Sequence, residues 1–120
     1  MKRSSSAGGN WLYGNAGDNM LRGGGGMDVL RGLGGNDILH GGGDLDYFVF
    51  DRAGADRIID FNDTVDLVSI AGVTGQAEFD ALNIKQVDGD VVINFGSGDK
   101  IIIEDLLKSN FTYTDDVTVI

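Results

Sequence analysis

The sequence predicts an all-β chain whose first half winds into stacked coils of short strands and whose second half closes them with an antiparallel β cap. Three observations predict it. From Ser5 to Val49 the residues repeat with a period of nine. Glycine is concentrated in the same stretch, 14 of the 20 lying between Gly8 and Gly43. From about Arg57 the grammar changes to short runs rich in Ile, Val and Phe, separated by turn signals. With 120 residues the chain has the length of a single domain, read as 1–120 with coils over 5–59 and cap over 60–120.

Placed in rows of nine, the first half reads SSAGGNWLY, GNAGDNMLR, GGGGMDVLR, GLGGNDILH and GGGDLDYFV. The eighth column is Leu12, Leu21, Leu30, Leu39 and Phe48; the sixth is Asn10, Asn19, Asp28, Asp37 and Asp46. After one extra residue, Phe50, a degenerate sixth row runs from Asp51 to Ile59, again with Asp sixth (Asp56) and an apolar residue eighth (Ile58). A flexible Gly-rich linker would have no reason to keep this register. The first six residues of each row turn the chain tightly, which Gly does without steric cost. The last three form a strand, in which the eighth side chain points inward and its neighbours outward. Two rows complete a coil of 18, so rows of equal parity stack. The stacked sixth-column pairs are then Asn10 with Asp28, Asn19 with Asp37, Asp28 with Asp46, and Asp37 with Asp56.

These rows resemble the RTX nonapeptide repeat, G-G-x-G-x-D-x-U-x, a calcium-binding parallel β-roll. Gly23-Gly24-Gly25-Gly26-Met27-Asp28-Val29-Leu30 fits every defined position, whereas the first two rows carry Asn for Asp and the fifth has Asp44 for Gly. The resemblance implies a right-handed roll with Ca2+ held between stacked turns. Calcium takes 6 to 8 oxygen ligands, and carboxylates with backbone carbonyls supply them. The family pattern assigns carbonyls two and four of the earlier turn and one and three of the later turn. For Asp28 and Asp46 these are Gly24, Gly26, Gly41 and Gly43. For Asn19 and Asp37 they are Asn15, Gly17, Gly32 and Gly34. For Asp37 and Asp56 they are Leu33, Gly35, Asp51 and Ala53, and Gly23 and Gly25 serve the outermost pair. Three to four ions are expected, with the pairs of two Asp tighter than those containing Asn. Four ions would bring +8 against a formal net charge of −10, so folding and calcium binding should be coupled.

In the second half, Arg57 to Phe61, Val65 to Ile70, Ile84 to Val87, Val91 to Phe95 and Lys100 to Glu104 read as strands. Asp88-Gly89 is a hairpin signal, Gly96 to Asp99 a second connection, and Gln76 to Leu82 a short helical piece. This half is expected to cover the open end that a roll leaves. The stretch from Ala55 to Leu67 also resembles the segment after the last repeat in secreted RTX proteases. Asp60, Asp63 and Asp66 read as a solvated acidic loop rather than a further ion site, because their spacing fits no EF-hand loop. The tail Asp116-Val117-Thr118-Val119-Ile120 resembles that of type I secretion substrates and is equally readable as a closing strand.

The composition excludes several function classes. The acidic balance argues against nucleic acid and anionic lipid, and the longest apolar runs are far shorter than the roughly 20 residues of a membrane span. Met1 to Gly8 begins with positive charge, but no run of 7 to 15 apolar residues follows, so no cleavable signal is expected. Without Cys there is no disulfide or thiol chemistry, and the single histidine, His40, rules out an HExxH zinc site. His40 sits in the outward ninth column, where a solvated side chain is expected. No catalytic role is expected. The resemblance implies a folding and secretion module of an extracellular protein, exported by type I secretion machinery and folding on meeting calcium. Such modules end secreted proteases, lipases, alginate epimerases and adhesins. The alternative is an accessory module that meets an anionic polysaccharide or a parent enzyme domain through the outward columns, namely Trp11, Met20, Val29, Ile38 and Tyr47, with Tyr13, Arg22, Arg31 and His40 as a partly cationic edge.

Overall fold

The structure is a computed structural model that describes the backbone of residues 2–4 and the chain from 9 to 119. The start of the first row, Ser5 to Gly8, and the last residue of the tail, Ile120, lie outside the described residues. Strands of three to five residues recur at the nine-residue interval: β2 (Trp11–Tyr13), β3 (Met20–Arg22), β4 (Asp28–Arg31), β5 (Ile38–His40) and β6 (Asp46–Phe50). They pair in parallel by parity, Leu12 beside Leu30 beside Phe48 in one sheet and Leu21 beside Leu39 in the other. Each eighth-column side chain is buried between the two sheets. The chain is thus an all-β parallel roll, as the nine-residue period requires.

The parallel stack extends further in both directions than the rows indicated. β1 (Lys2–Ser4) pairs in parallel with β3, so the basic start is a strand. β7 (Ala55–Ile58) joins β5 with Leu39 beside Ile58, a 19-residue step that absorbs the extra Phe50. β8 (Leu67–Ile70), expected in the antiparallel cap, pairs in parallel with β6, Phe48 beside Val68, so the roll reaches past residue 59 to Ile70. The reason is local: one extra residue at Phe50 and one more in the turn before β8 make the step from Phe48 to Val68 20 residues instead of 18, which breaks the period but leaves the apolar alternation intact.

The cap proper is a meander of β9 (Asn83–Val87), β10 (Asp90–Gly96) and β11 (Asp99–Ile103), antiparallel as expected. Asp88 takes the left-handed conformation at φ 53° in the first hairpin, and Ser97 and Gly98 take it in the second. β11 pairs in parallel with β7, Ile103 beside Ile58, which welds the meander to the roll as one seven-stranded sheet. The other sheet has four strands, β2-β4-β6-β8. α1 (Gln76–Asp80), shorter than the run to Leu82, and α2 (Tyr113–Asp116) bring Phe79 and Tyr113 together at 6.0 Å between ring centroids. Phe48, Phe61, Phe111 and Phe79 continue as a chain of ring contacts from the roll's interior to this end. The segment closes as a strand-like contact, Val117 bridging to Val68.

The outward columns do not form a single edge. Parity sends Trp11, Val29 and Tyr47 to one sheet and Met20 and Ile38 to the other. Arg31 and Arg22 lie on opposite sheets, and Arg31 is bound through two nitrogens to Asp51, at 2.9 and 2.5 Å. His40 is half-buried rather than solvated, with Nε2 3.5 Å from Asp60. The cationic edge is therefore divided and partly neutralised.

Candidate metal centre

The turns that precede β4, β5, β6 and β7 share one backbone device. Their second and fourth residues adopt left-handed φ: Gly24 and Gly26 at 85° and 86°, Leu33 and Gly35 at 68° and 81°, Gly42 and Asp44 at 91° and 66°, and Arg52 and Gly54 at 63° and 80°. Alternating left-handed residues redirect successive carbonyls, which is why Gly dominates these columns. The requirement is strict at Gly42, where a Cβ would collide with the carbonyl oxygen of Gly24 in the turn beneath.

The sixth column forms two ladders of buried side chains. In each, the backbone N–H of one coil donates to Oδ1 of the next. Asn10 donates to Asp28 at 3.0 Å, Asp28 to Asp46 at 3.1 Å, Asn19 to Asp37 at 2.9 Å, and Asp37 to Asp56 at 3.0 Å. All four expected pairs are therefore brought together. The second carboxylate oxygen is left over: Oδ2 of Asp28, Asp37 and Asp46 is buried without a hydrogen-bond partner. At Gly23, the place a Cβ would occupy lies 2.5 Å from Asp28 Oδ2 and 2.7 Å from the carbonyl oxygen of Gly41, so both oxygens face one small cradle. Gly32 stands in the same relation to Asp37 Oδ2.

Unpartnered buried oxygens are costly, and unpaired buried carboxylates more so. Burial pushes Asp46 and Asp56 up to about 7, with neighbouring carboxylates adding to the effect. Burial also raises Asp37 and Asp66. Among the described residues no Lys or Arg forms an ion pair with any of these four or with Asp28. A hard dication suits this donor set, carboxylate plus carbonyl oxygen with no nitrogen or sulfur. Among the described residues no three Asp, Glu or His side chains converge as a metal-holding group, so an ion here must draw on backbone carbonyls.

Asn19 shows what happens where the charge is missing. Its Nδ2 donates to the carbonyls of Gly17 at 2.6 Å and Asn15 at 3.2 Å, and to Asp37 Oδ1 at 2.9 Å. An amide N–H2 thus uses two of the carbonyls that the repeat pattern assigns to an ion. The other assigned turn residues are in place but play unequal parts. Asp51 turns its side chain to Arg31, Gly26 N–H donates to Asp44 Oδ2, and Gly35 lies beneath Gly54. Ala53 and Gly25 occupy their turns, and Gly34 stacks over Ala16.

Two carboxylates were missed by the row reading. Asp66 is buried and continues the ladder, its Oδ1 accepting from Asp46 N–H at 3.0 Å and its Oδ2 from Asn62 N–H at 2.9 Å. Asp60 accepts from Gly41 N–H at 2.9 Å and Gly42 N–H at 2.7 Å. Neither is a solvated loop residue. The signal for Asp66 was present in the sequence, since Asp66-Leu67-Val68-Ser69 reproduces the last four columns of a row.

Stacked Gly-rich turns carrying paired acidic side chains define a metal-binding β-roll. Residues 4–39 and 22–58 match the family model described as the RTX calcium-binding nonapeptide repeat, so this stretch of the chain carries repeats of that type. Its repeats are calcium-binding repeats. No curated protein matches the chain. Among solved structures it is similar to the extracellular lipase LipA of Serratia marcescens, at 20% identity and a TM-score of 0.58, over 99% of this chain and 21% of the lipase. The chain thus spans about a fifth of that protein, and the likeness is one of fold. It is also similar to a subunit of the Azotobacter vinelandii mannuronan C5-epimerase, at 21% identity and a TM-score of 0.37, over 95% of this chain and 80% of that one.

Proposed function

We propose that the chain is a calcium-triggered folding module with no active site of its own, which folds outside the cell after type I secretion. The observation that carries this reading is the set of buried, unpartnered Oδ2 atoms of Asp28 and Asp37, each set against a turn of left-handed residues. In this reading Asp28 and Asp46, with the carbonyls of Gly24, Gly26, Gly41 and Gly43, hold one ion. Asp37 and Asp56, with those of Leu33, Gly35, Asp51 and Ala53, hold a second. The ions supply positive charge between coils that otherwise stack carboxylate on carboxylate. At cytoplasmic calcium the repulsion and the glycine entropy keep the chain open for export, and outside the cell calcium closes the roll. In the Asn19 coil the amide already uses the carbonyls of Asn15 and Gly17, which makes it the weaker position for an ion. A polysaccharide partner has less to support it, because Arg31 is committed to Asp51 and Arg57 to Glu104, at 2.7 Å.

The test is far-UV circular dichroism of the metal-stripped chain at pH 8 during titration with calcium, with magnesium as control. A steep gain of β signal with calcium alone is the expected result. A chain already folded in chelator and indifferent to calcium would refute the proposal.

A further inference from the structure

One buried carboxylate belongs to neither ladder of the roll. Asp116 ends α2, in the segment that closes the chain, and has 0% of its surface exposed. Its Oδ2 accepts from Thr112 N–H at 2.8 Å, but its Oδ1 is buried without a hydrogen-bond partner. The charges that act on it are both negative, Asp63 in the loop before β8 and Asp115 on its own helix. These two line one polar cavity with Thr64, Ser109, Asn110 and Thr112. Of the elements packed against α2, β8 carries no titratable side chain, and the acids of α1, Glu78 and Asp80, accept from Thr74 and Gln76 at 3.2 and 2.8 Å. Among the described residues no Lys, Arg or His forms an ion pair with Asp116. An ionised carboxylate left unpaired in such a place is costly, and a protonated one far less so.

We propose that Asp116 is a proton-operated latch: with its carboxyl neutral the C-terminal segment docks on β8, and with it ionised the segment lets go. The next residue, Val117, bridges to Val68, and Thr118 N–H donates to the Val68 carbonyl at 2.9 Å, so Asp116 adjoins the contacts that hold the segment to the roll. Thr118 and Val119 in turn wall a groove on the outer face of the four-stranded sheet together with Trp11, Val29 and Tyr47, and release opens it. Burial, with Asp63 and Asp115 adding to it, raises Asp116 from 3.8 to about 6. Attachment gained in this way is fully present below 3.8 and is lost as pH rises through about 6. Between pH 5 and pH 8 the loss of docking is about tenfold. The latch does not depend on the calcium reading, because Asp116 stands apart from the stacked turns.

Amide hydrogen exchange of the whole chain in excess calcium tests it, with protection corrected for the intrinsic rate at each pH. Thr118 N–H reports the docked segment, and Val29 N–H, which donates to the Asn10 carbonyl at 2.8 Å, reports the roll. The expected result is a fall of about tenfold in Thr118 protection from pH 5 to pH 8 with Val29 unchanged, and no such fall in Asp116→Asn. Thr118 protection that is equal at the two pH values in the parent overturns the latch, as does the same fall in Asp116→Asn. A fall shared equally by Val29 means that the roll loosens as a whole and overturns it too. Should Asp116→Asn leave Thr118 unprotected at every pH, Asp63→Asn decides: losing a neighbouring negative charge is expected to shrink the fall, and an unchanged fall overturns the proposal.

Discussion

Gly42 and Gly43 are adjacent in one turn and have opposite tolerances. At Gly42 the backbone is left-handed at φ 91° and a Cβ would strike the Gly24 carbonyl, whereas a Cβ at Gly43 would meet nothing within 4 Å. A left-handed Ala costs about 1–2 kcal/mol before any collision is counted, and pushing a carbonyl out of the turn also disturbs an oxygen assigned to the ion. Gly42→Ala is therefore expected to raise the calcium concentration at half-folding at least severalfold. Gly43→Ala keeps its carbonyl and is expected to leave the midpoint within a factor of two. Paired calcium titrations of the two variants by circular dichroism check this, and equal midpoints would refute the close stacking of the turns.

At the scale of elements, the cap acts on calcium binding from a distance. Ile103 on β11 is fully buried and stands beside Ile58 on β7, so its truncation leaves a hole at the weld between meander and roll. Ile→Ala in such a place costs about 2–5 kcal/mol. Because binding and folding are one process, a loss of about 3 kcal/mol shared between the two ions of the proposed reading raises the calcium midpoint roughly tenfold. Ile103→Ala is expected to do so in a calcium titration, with the ion count unchanged; a shift in count instead would mean that β11 touches a site directly. The elements themselves were unevenly legible. The strands of the rows could be read because Gly, Asp and Leu recur in fixed columns, and β9 to β11 because Asp88-Gly89 and Ser97-Gly98 mark their turns. β8 was assigned to the wrong architecture because a strand's alternation says nothing about whether its neighbour runs parallel. β1 was hidden because Lys2 and Arg3 look like a leader's charge and carry no glycine turn within the described residues. The Asp46–Asp66 contact escaped for the same reason as β8: a step of 20 residues in place of 18 moves it out of register.

For the whole molecule, protons and calcium are alternative ways to neutralise the ladders. Burial holds Asp46 and Asp56 at about 7 in the metal-free fold, against an ordinary carboxylate value of 3.8. The folded chain therefore keeps protons that the unfolded chain has already released between those values. A group raised in this way contributes stability that is fully present below its unfolded value and is lost as pH rises through its folded one. The metal-free roll is thus expected to be more stable at pH 5 than at pH 8, and its need for calcium greatest above pH 7. Calcium must also displace the proton below pH 7, so its apparent affinity falls there. Small-angle scattering makes the difference large enough to read. The folded chain has a Cα radius of gyration of 13.1 Å. An unfolded chain of this length approaches about 35 Å. In chelator, the radius is expected to be expanded at pH 8 and to shrink toward the folded value as pH is lowered to 5, while at pH 8 calcium alone produces the same contraction. A metal-free chain that is more compact at pH 8 than at pH 5 would reverse the sign and show that the buried carboxylates are neutralised by something other than protons or calcium.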